Sequence, residues 1–486
     1  MTVTTFAVSR DVHGADTLAV SVAVTDGILS VSDDAAAVLN DLAPTWLEDL
    51  AQVGFLAKAA SVQRLPVNGH DSVKSIIAVG LGEAGNAKRN SLRTCAYTAV
   101  HAAGKVAHLA LMLGDEHVDA IIDGARYAAY QFTTFTPPSI RDVPEAVSVL
   151  TNTDDAEAIA TRQNTINDAV TLARDLVNTP PQAKRPPVFA ELARTAVADL
   201  PVTVTIFDET KLAADGFGGI LGVGQGSSEP PRLIELRYTP SGATDHVVLV
   251  GKGITFDTGG ISLKPSASME IMKCDMAGAA TMLAVITAAA RLSVLTEITV
   301  LLAVAENMPS GTATRVSDVL TMFDGTTVEV TNTDAEGRLV LGDALAYAAT
   351  LTPTPNIVID AATLTGAAVI ALGDKINAAI GNDDVLIDEL RAAASVAGEP
   401  LWPLPLANDE YGDRLKGSIS TLKNAGGREA GPIFAALFLS RFVSAKARWV
   451  HLDIAGPAFT TSGYDIYTAG ATGNPVRTLI TWLLDR

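Results

Sequence analysis

The segment HVVLVGKGITFDTGG, residues 246–260, decides the fold class because a near-continuous apolar run leads directly into a polar, glycine-containing stretch. Such a run is typical of a β-strand that is buried on both faces of a sheet. Three more runs of this kind follow, with helical segments between them, at residues 297–306, 356–361 and 448–456. The alternation predicts a mixed or mostly parallel sheet with helices on both sides, from about residue 188 onward.

A second, weaker alternation of strand-like and helical runs precedes that sheet. SIIAVG (75–80) and HLALML (108–113) are predicted strands, and residues 91–104 are a predicted helix. TFTPPSIRDVPE (134–145) indicates a break, after which a polar helical stretch at about 154–177 leads to a proline-rich turn.

A chain of 486 residues is longer than one hydrophobic core usually serves. We therefore predict an α/β protein with two domains. A smaller N-terminal α/β domain covers residues 1–150, and a linker helix and turn cover 151–187. The larger C-terminal α/β domain, with a central mixed sheet flanked by helices, covers 188–486.

Composition narrows the cellular setting and the partners. The net charge of −19 disfavours general binding to nucleic acid backbones and to anionic membrane surfaces. Two cysteines, Cys95 and Cys274, suit a reducing compartment. The apolar run at 276–290 is shorter than the ~20 residues that usually span a membrane, and predicts a buried helix. With an N-terminus unlike a secretory signal, these features predict a cytoplasmic protein that does not bind membranes.

Charged side chains concentrate next to the predicted buried strands. The set contains four acids and three bases: Asp257, Asp275, Asp334, Glu336, Lys252, Lys264 and Arg338. In NTDAEGRLVLGDAL (332–345), three of them occupy alternate positions, which would place them on one side of an extended segment. Functional groups in open α/β sheets gather at the carboxyl ends of strands, so this placement predicts a site.

Each of these residues also has an ordinary structural explanation. Asp275 precedes a helix and suits an N-cap, Asp257 suits a turn, and Lys252 suits a solvated loop. Asp334 and Glu336 could form a polar strand edge with a nearby arginine.

A two-metal site explains the whole set better. Four carboxylates carry −4, which two divalent ions about 3.5–4 Å apart would balance. Oxygen ligands favour Mg²⁺, Mn²⁺ or Zn²⁺. Neither histidine of the second domain, His246 or His451, lies in these motifs, which argues against a histidine-rich zinc site and a Ser-His-Asp triad.

GLGEAG, residues 80–85, follows a predicted strand and matches the G-x-G-x-x-G pattern of dinucleotide-binding loops. Such a site also needs an acid about 20 residues further on for the ribose. After Glu83 the next acid is Asp115, so the spacing is wrong. A glycine-rich turn between a strand and a helix is the favoured interpretation.

Several motifs together resemble the leucyl (cytosol) aminopeptidase family. NTDAEGRLVLGDAL looks like its signature, and VGKGITFDTGGISLKP (250–265) and MKCDMAGAATML (272–283) precede it at the family's spacing. The further matching motifs, in order, are NTPP (178–181), DAATLTGA (360–367), LKNAGGR (422–428) and HLDIAGPA (451–458). The resemblance covers about residues 170–486. Residues 1–150 share only the general α/β character.

This resemblance implies a role for each residue of the charged set. Asp257 and Glu336 would bridge two metals, Asp334 would complete the more exchangeable site, and Lys252 and Asp275 would complete the tighter one. Lys264 would hold the scissile carbonyl oxygen and stabilise the tetrahedral intermediate. Arg338 would hold a bicarbonate ion that acts as general base.

The resemblance also implies the reaction and its setting. The expected activity is removal of leucine-like and other N-terminal residues from short peptides, with water activated by two divalent ions. Mn²⁺ or Zn²⁺ is expected, with Mg²⁺ or Co²⁺ also tolerated. A homohexamer with active sites facing an interior cavity is expected. The side-chain pocket would contain Met272, Thr363, Gly366, Ala455 and Ala458.

Ordinary core packing is the alternative explanation for Met272 and Ala455. The alternative functions are nucleotide binding through the first domain and a DNA-binding regulatory role. The net charge argues against DNA binding.

Overall fold

The computed structural model describes residues 4–85, 87–135, 142–427 and 429–486. Contacts divide the chain into two compact units. The first comprises Met1–Asn167 with Gly463–Thr468, and the second comprises Asp168–Ser462 with Ala469–Arg486. The division falls within a long helix, Ala156–Asn178, which agrees with the polar helix predicted at 154–177.

The first unit is a mixed sheet covered by helices. Its strands lie in the order β1-β7-β6-β2-β5-β4, and β3 pairs with β2. The strands are β1 Thr5–Ser9, β2 Thr17–Thr25, β3 Ile28–Ser30, β4 Val62–Pro66, β5 Ser75–Glu83, β6 His108–Met112 and β7 Ala146–Leu150. The helices are α1 Asp33–Leu42, α2 Trp46–Gln52, α3 Arg89–Ala103 and α4 Val118–Ala129, followed by α5 Ala156–Asn178.

Two apolar clusters fill this unit, one on each face of its sheet. One packs strand residues against α3 and α4 and the other against α1 and α2. The predicted strands at 75–80 and 108–113 and the helix at 91–104 are confirmed. Half of the break predicted at 134–145, residues 136–141, lies outside the described residues.

The first glycine of GLGEAG serves close packing within the first unit. Gly80 and Gly82 lie inside β5 rather than in a turn after it. A Cβ atom at Gly80 would meet residues 57–61, with Ala57 C at 2.6 Å, because that segment already fills the space. Gly80, the first glycine of the pattern, therefore allows a close approach between protein backbones.

The second unit contains an eight-stranded mixed sheet in the order β16-β15-β18-β14-β10-β11-β9-β8. These strands are β8 Val202–Phe207, β9 Arg232–Tyr238, β10 His246–Asp257, β11 Glu297–Asn307, β14 Ile357–Ala362, β15 Asn377–Gly381, β16 Leu401–Pro403 and β18 Arg448–Asp453. Short strands form two small sheets: β12 Val319–Thr321, β13 Thr327–Glu329, β17 Leu422–Lys423, β19 Phe459–Thr460 and β20 Gly470–Ala471.

The helices of this unit alternate with the strands, as the sequence predicts. They are α6 Pro186–Ala196, α7 Glu209–Asp215, α8 Gly218–Gly224, α9 Ser266–Met269, α10 Ala277–Arg291, α11 Gly337–Ala348, α12 Gly366–Leu372, α13 Asp384–Ala397, α14 Asn408–Tyr411, α15 Gly431–Ser440 and α16 Val476–Leu484. Three 3-10 helices cover Pro181–Ala183, Met272–Cys274 and Gly412–Leu415.

Parallel pairing of the four central strands explains their near-continuous apolar runs. β10 pairs in parallel with β11 and β14, and β14 pairs in parallel with β18. Val248 and Val250 pack with α11 and α15, while α10 also contacts β10. Because successive residues of a strand point to opposite faces, both faces must be apolar.

The apolar helix predicted at 276–290 is confirmed as α10, whose residues 277–290 are all buried. The wider helical segment Ser266–Arg291 is long and apolar enough to cross a membrane by length and composition alone. Because 83% of its most apolar window is buried inside the protein, it has the environment of a core helix.

Candidate metal centre

The candidate site residues gather at the carboxyl edge of the four central parallel strands. Asp257 ends β10, Asn307 ends β11, Asp453 ends β18, and Thr363 directly follows β14. Side chains that end adjacent parallel strands share one edge of the sheet, where ligands usually bind in open α/β folds.

β10 is longer than the sequence suggests. The apolar run ends at Gly251, but the strand continues to Asp257 and includes Lys252. Its register with β11 shifts between Ile254 and Asp257. Lys252 is therefore a buried strand residue with 3% of its side chain exposed, and not a solvated loop lysine.

The ammonium of Lys252 joins two carboxylates. Its Nζ lies 2.8 Å from Asp275 Oδ1 and 2.9 Å from Glu336 Oε1. It also donates a hydrogen bond to the carbonyl of Thr363 at 2.9 Å, and the hydroxyl of Thr363 donates to Asp275 Oδ1 at 2.8 Å. Lys252 thus connects β10 to the three segments that carry Asp275, Glu336 and Thr363.

Lys264 joins the other two acids of the set. Its Nζ lies 2.9 Å from Asp257 Oδ2 and also contacts Asp334 Oδ1. Asp257 Oδ1 accepts hydrogen bonds from the backbone of Gly259 and from Asn307 Nδ2, each at 2.8 Å. Asp257 is thereby fixed on both oxygens.

Two glycines that follow Asp257 allow the chain to turn back, so that Lys264 can reach this acid. Gly259 and Gly260 have φ angles of +84° and +64°, which residues with a Cβ rarely adopt. A Cβ at Gly259 would also lie 2.8 Å from Asp334 Oδ1. The pair therefore turns the chain so that Lys264 faces Asp257, the last residue of β10.

The segment that carries Asp334 and Glu336 differs from the extended conformation predicted for it. Residues 332–335 form a turn, Glu336 is the N-cap residue of α11, and Arg338 lies in the first turn of that helix. The alternate positions are thus not one face of a strand. Acidic side chains before a helix also benefit from the positive end of its dipole.

The acidic atoms are close enough to share cations. Asp257, Asp334 and Glu336 each offer one oxygen, and these oxygens lie within 4.8 Å of one another. Asp275 Oδ2 and Glu336 Oε2 are buried, with no hydrogen-bond partner among the described residues. Four carboxylates face two ammonium groups, so the cluster has more negative than positive charge. A set of oxygen donors with unused buried atoms fits divalent ions.

The pKa shifts reflect the same shortage of positive charge. Burial, with the Asp257 charge beside it, raises the pKa of Glu336 to about 6. Burial raises the pKa of Asp275 well above its usual range. Burial opposes the charge of Lys252, but Asp275 and Glu336 outweigh it and raise the pKa of this lysine. Buried like charges disfavour their own ionisation unless cations balance them.

Arg338 lies beside this cluster and has an unused donor. Its Nη1 donates to the carbonyl of Asn424 at 2.8 Å, whereas its buried Nε has no partner among the described residues. Burial lowers its pKa to about 10, so the guanidinium remains charged at neutral pH. A buried cation with a free N–H donor is suited to hold an anion.

The five predicted pocket residues lie in different environments. Thr363 contacts Asp275, as described above. Gly366 begins α12 and is exposed, with open space where a Cβ would be. Met272 begins a 3-10 helix and Ala455 follows β18, and both are half-buried. Ala458 is 2% exposed.

Asp453, which the sequence analysis did not single out, connects two of these pocket segments. Its Oδ1 accepts hydrogen bonds from the backbone nitrogens of Leu364 at 3.2 Å, Thr365 at 3.4 Å and Ala455 at 3.2 Å. Its Oδ2 accepts from the hydroxyl of Thr365 at 2.7 Å. Asn307 was missed as well. Asn307 directly follows the predicted run 297–306, and Asp453 is the one acid within the predicted run 448–456; a polar residue at the end of a buried strand is the signal that could have found them.

An acidic cluster that fits divalent ions, at the carboxyl edge of an α/β sheet, defines the class of the protein as a metal-dependent α/β enzyme. Comparison with known families gives the particular type. Residues 171–480 match the catalytic domain of the cytosol aminopeptidase family, and residues 22–137 match the N-terminal domain of the same family. The chain belongs to the cytosol aminopeptidase family and is a metal-dependent aminopeptidase, a hydrolase of the exopeptidase type.

Individual relatives support this assignment along the whole chain. Probable cytosol aminopeptidases of Micrococcus luteus and Leifsonia xyli subsp. xyli are 44% and 43% identical to it, and the alignments cover 92% and 89% of both chains. The bottromycin maturation enzyme BotP, solved in complex with Mn, matches with a TM-score of 0.86 at 36% identity, covering 97% of this chain and 99% of BotP. A mutant of tomato leucine aminopeptidase matches with a TM-score of 0.87 at 28% identity, covering 99% of this chain and 97% of the tomato chain.

Proposed function

We propose that this aminopeptidase removes N-terminal residues, leucine-like ones preferred, from short peptides, and that two divalent ions serve the reaction. The residues proposed to hold them are Lys252, Asp257, Asp275, Asp334 and Glu336. One observation carries this proposal: oxygens of Asp257, Asp334 and Glu336 lie within 4.8 Å of one another, and Lys252 links Glu336 to Asp275. Mn²⁺ or Zn²⁺ is the expected metal, with Mg²⁺ or Co²⁺ tolerated. The Mn in the BotP structure supports this.

The chemistry that bound ions would supply is polarisation of the peptide carbonyl and a lower pKa for a bound water. The protein contributes the other charges. Lys264, with 16% of its side chain exposed, is more accessible than Lys252 and would stabilise the oxyanion by its positive charge. Lys252 would have to lose its proton to bind a metal, which nearby cations favour.

Arg338 is proposed to bind the bicarbonate ion that accepts the proton from the attacking water. The free Nε donor of its buried guanidinium supports this role. The oxygens of a small oxyanion can accept hydrogen bonds from such a group while its charge is balanced.

The proposed pocket suits a broad preference for leucine-like side chains. Thr363, Gly366 and Ala455 offer short side chains or none, and the space beside Gly366 is open. A homohexamer in the cytoplasm is proposed as the working form. The family resemblance and the names of the cytosolic relatives support it.

The test is hydrolysis of Leu-p-nitroanilide by metal-stripped protein, before and after addition of Mn²⁺ or Zn²⁺. Activity should appear only with metal, and Glu336→Ala should remain inactive with either ion. Asp388→Ala, which changes an acid with 65% of its side chain exposed, is the matched control and should keep full activity. Folded, assembled wild-type protein that stays inactive with Mn²⁺ and Zn²⁺, and also when Mg²⁺ or Co²⁺ is added, would overturn the proposal.

A further inference from the structure

Lys184 is a completely buried lysine that the proposed reaction does not use. It follows the 3-10 helix Pro181–Ala183 and is 0% exposed. Its Nζ donates to the carbonyls of Leu176 at 2.7 Å, Val177 at 2.9 Å and Lys273 at 2.8 Å. An ammonium has three N–H donors, so the three carbonyls satisfy it completely. Burial makes the charge of Lys184 costly and lowers its pKa to about 7. The three carbonyl acceptors offset part of this cost.

These carbonyls come from two separate parts of the second unit. Leu176 and Val177 belong to the last turn of α5, where carbonyls lack partners within the helix and the dipole is negative. Lys273 belongs to the 3-10 helix Met272–Cys274. Its own Nζ donates to the carbonyl of Asn178 at 3.2 Å, so the connection is made in both directions.

The second part is the segment that carries Asp275. Lys184 Nζ contacts it on both sides of this acid, at the Lys273 carbonyl and at Met276 Sδ, 3.2 Å away. Asp275 itself lies between the 3-10 helix and α10, and its backbone nitrogen donates a long hydrogen bond of 3.3 Å to the carbonyl of Met272. The contacts from Lys184 on both sides of Asp275 therefore add to a weak local hydrogen bond.

We propose that Lys184 is a positioning residue for the metal centre: it fixes residues 272–276 against the end of α5 and so holds Asp275 in place to bind one of the two ions. This inference rests on the proposed function, because it takes Asp275 as a ligand. Outer residues that orient metal ligands typically contribute about 10- to 100-fold to metal affinity. Loss of Lys184 should therefore weaken one metal site and leave the other unchanged.

The test is titration of the metal-stripped full-length protein with Mn²⁺ by calorimetry. Wild type should bind two ions, and Lys184→Met should bind one of them about 10- to 100-fold more weakly. Its hydrolysis of Leu-p-nitroanilide should recover at saturating Mn²⁺. Arg477→Met is the matched control, since it removes another buried cation of the second unit, paired with Glu399 at 3.3 Å. It should lower stability but keep both Mn²⁺ affinities.

Lys184→Gln provides a milder change, because an amide keeps two of the three donors. Its Mn²⁺ affinity should lie between those of wild type and Lys184→Met, which keeps the inference testable if the methionine variant does not fold. Unchanged affinity at both sites in the foldable variant would overturn it, as would an equal loss in Arg477→Met. Wild-type protein that binds neither Mn²⁺ nor, in the same titration, Zn²⁺, Mg²⁺ or Co²⁺ would overturn the proposed function itself, and this result is distinct from the other two.

Discussion

Lys252 Nζ lies 2.8 Å from Asp275 Oδ1, inside a protein interior that leaves 3% and 5% of the two side chains exposed. The same ammonium reaches Glu336, so one cation compensates two buried carboxylates. Removing one partner of a buried ion pair leaves an uncompensated charge in a region that solvates it poorly. The stability of the metal-free protein should therefore depend strongly on Lys252.

Lys252→Met should lower the free energy of unfolding of the metal-free protein by about 3–5 kcal/mol. Mn²⁺ should recover part of this loss, because a bound cation replaces the missing charge. Urea denaturation in EDTA and in Mn²⁺ measures both effects. Equal stability of variant and wild type in EDTA would contradict the assigned role of the pair.

Lys264→Met should lower kcat for Leu-p-nitroanilide by about 10²–10³-fold, the usual cost of removing one group that stabilises an oxyanion. Mn²⁺ affinity should stay the same or increase, because the ammonium of Lys264 competes with metal for Asp257 and Asp334. Steady-state kinetics at saturating Mn²⁺, together with a metal titration, separates the two effects. A variant that loses metal and keeps kcat would assign Lys264 to metal binding instead.

Arg338→Met should remove the response of the enzyme to bicarbonate. Wild-type activity in buffer depleted of CO₂ should rise when bicarbonate is added, whereas the variant should stay slow at all concentrations. General bases typically contribute about 10²–10⁴-fold to rate, so the difference should be large. Arg338→Lys is the control, because it keeps the charge and loses the planar set of donors. A bicarbonate response in the methionine variant would place the anion elsewhere.

The apolar patterns of the sequence predicted most of the second unit. The runs predicted at 246–251, 297–306, 356–361 and 448–456 each contain a strand of one sheet, because a strand buried on both faces leaves a continuous apolar run. The boundaries were less accurate. β10 extends six residues past Gly251, since pairing with β11 continues after the apolar run ends.

The sequence pointed to the charged residues by their side-chain type, but it did not predict their local structure. Alternate spacing of Asp334, Glu336 and Arg338 is compatible both with one face of a strand and with a turn that enters a helix, and the structure has the turn. Asn307 and Asp453 escaped notice because most of their partners come from segments 26 to 89 residues away. Sequence patterns with a period of two or 3.6 report local structure and carry no information on such pairs.

Asp453→Asn should weaken discrimination between N-terminal leucine and alanine. The amide keeps one acceptor oxygen for the backbone nitrogens of Leu364, Thr365 and Ala455, but it loses the carboxylate charge and the second acceptor that the Thr365 hydroxyl uses. The ratio of kcat/KM for the two p-nitroanilides should fall several-fold, within the 1–3 kcal/mol that pocket contacts usually supply. Asp383→Asn is the control, because this acid pairs with Arg448 instead of a pocket segment. An unchanged ratio would show that Asp453 does not shape the pocket.

The stability of the protein should include a pH-dependent contribution from His451. Its Nδ1 lies 2.5 Å from Asp360 Oδ1 with both side chains fully buried, and Asp360 Oδ2 accepts from Trp449 Nε1 at 2.8 Å. Burial alone would lower the pKa of His451, but the Asp360 carboxylate outweighs burial and raises it. The folded state therefore binds the proton more tightly than the unfolded state, whose histidine titrates near pH 6.5.

The higher pKa of His451 in the folded state sets the direction of the pH effect. The stabilisation is complete below about pH 6.5 and is lost as pH rises through the higher pKa of the folded state. Each tenfold difference in proton affinity between the two states contributes about 1.4 kcal/mol. His451→Asn keeps a donor for Asp360 but does not titrate, so it isolates the effect. The difference in unfolding free energy between wild type and variant, measured by urea denaturation in EDTA at pH 5.5, 7 and 8.5, should shrink as pH rises. A difference that grows with pH would show that folding lowers the pKa of His451 instead of raising it.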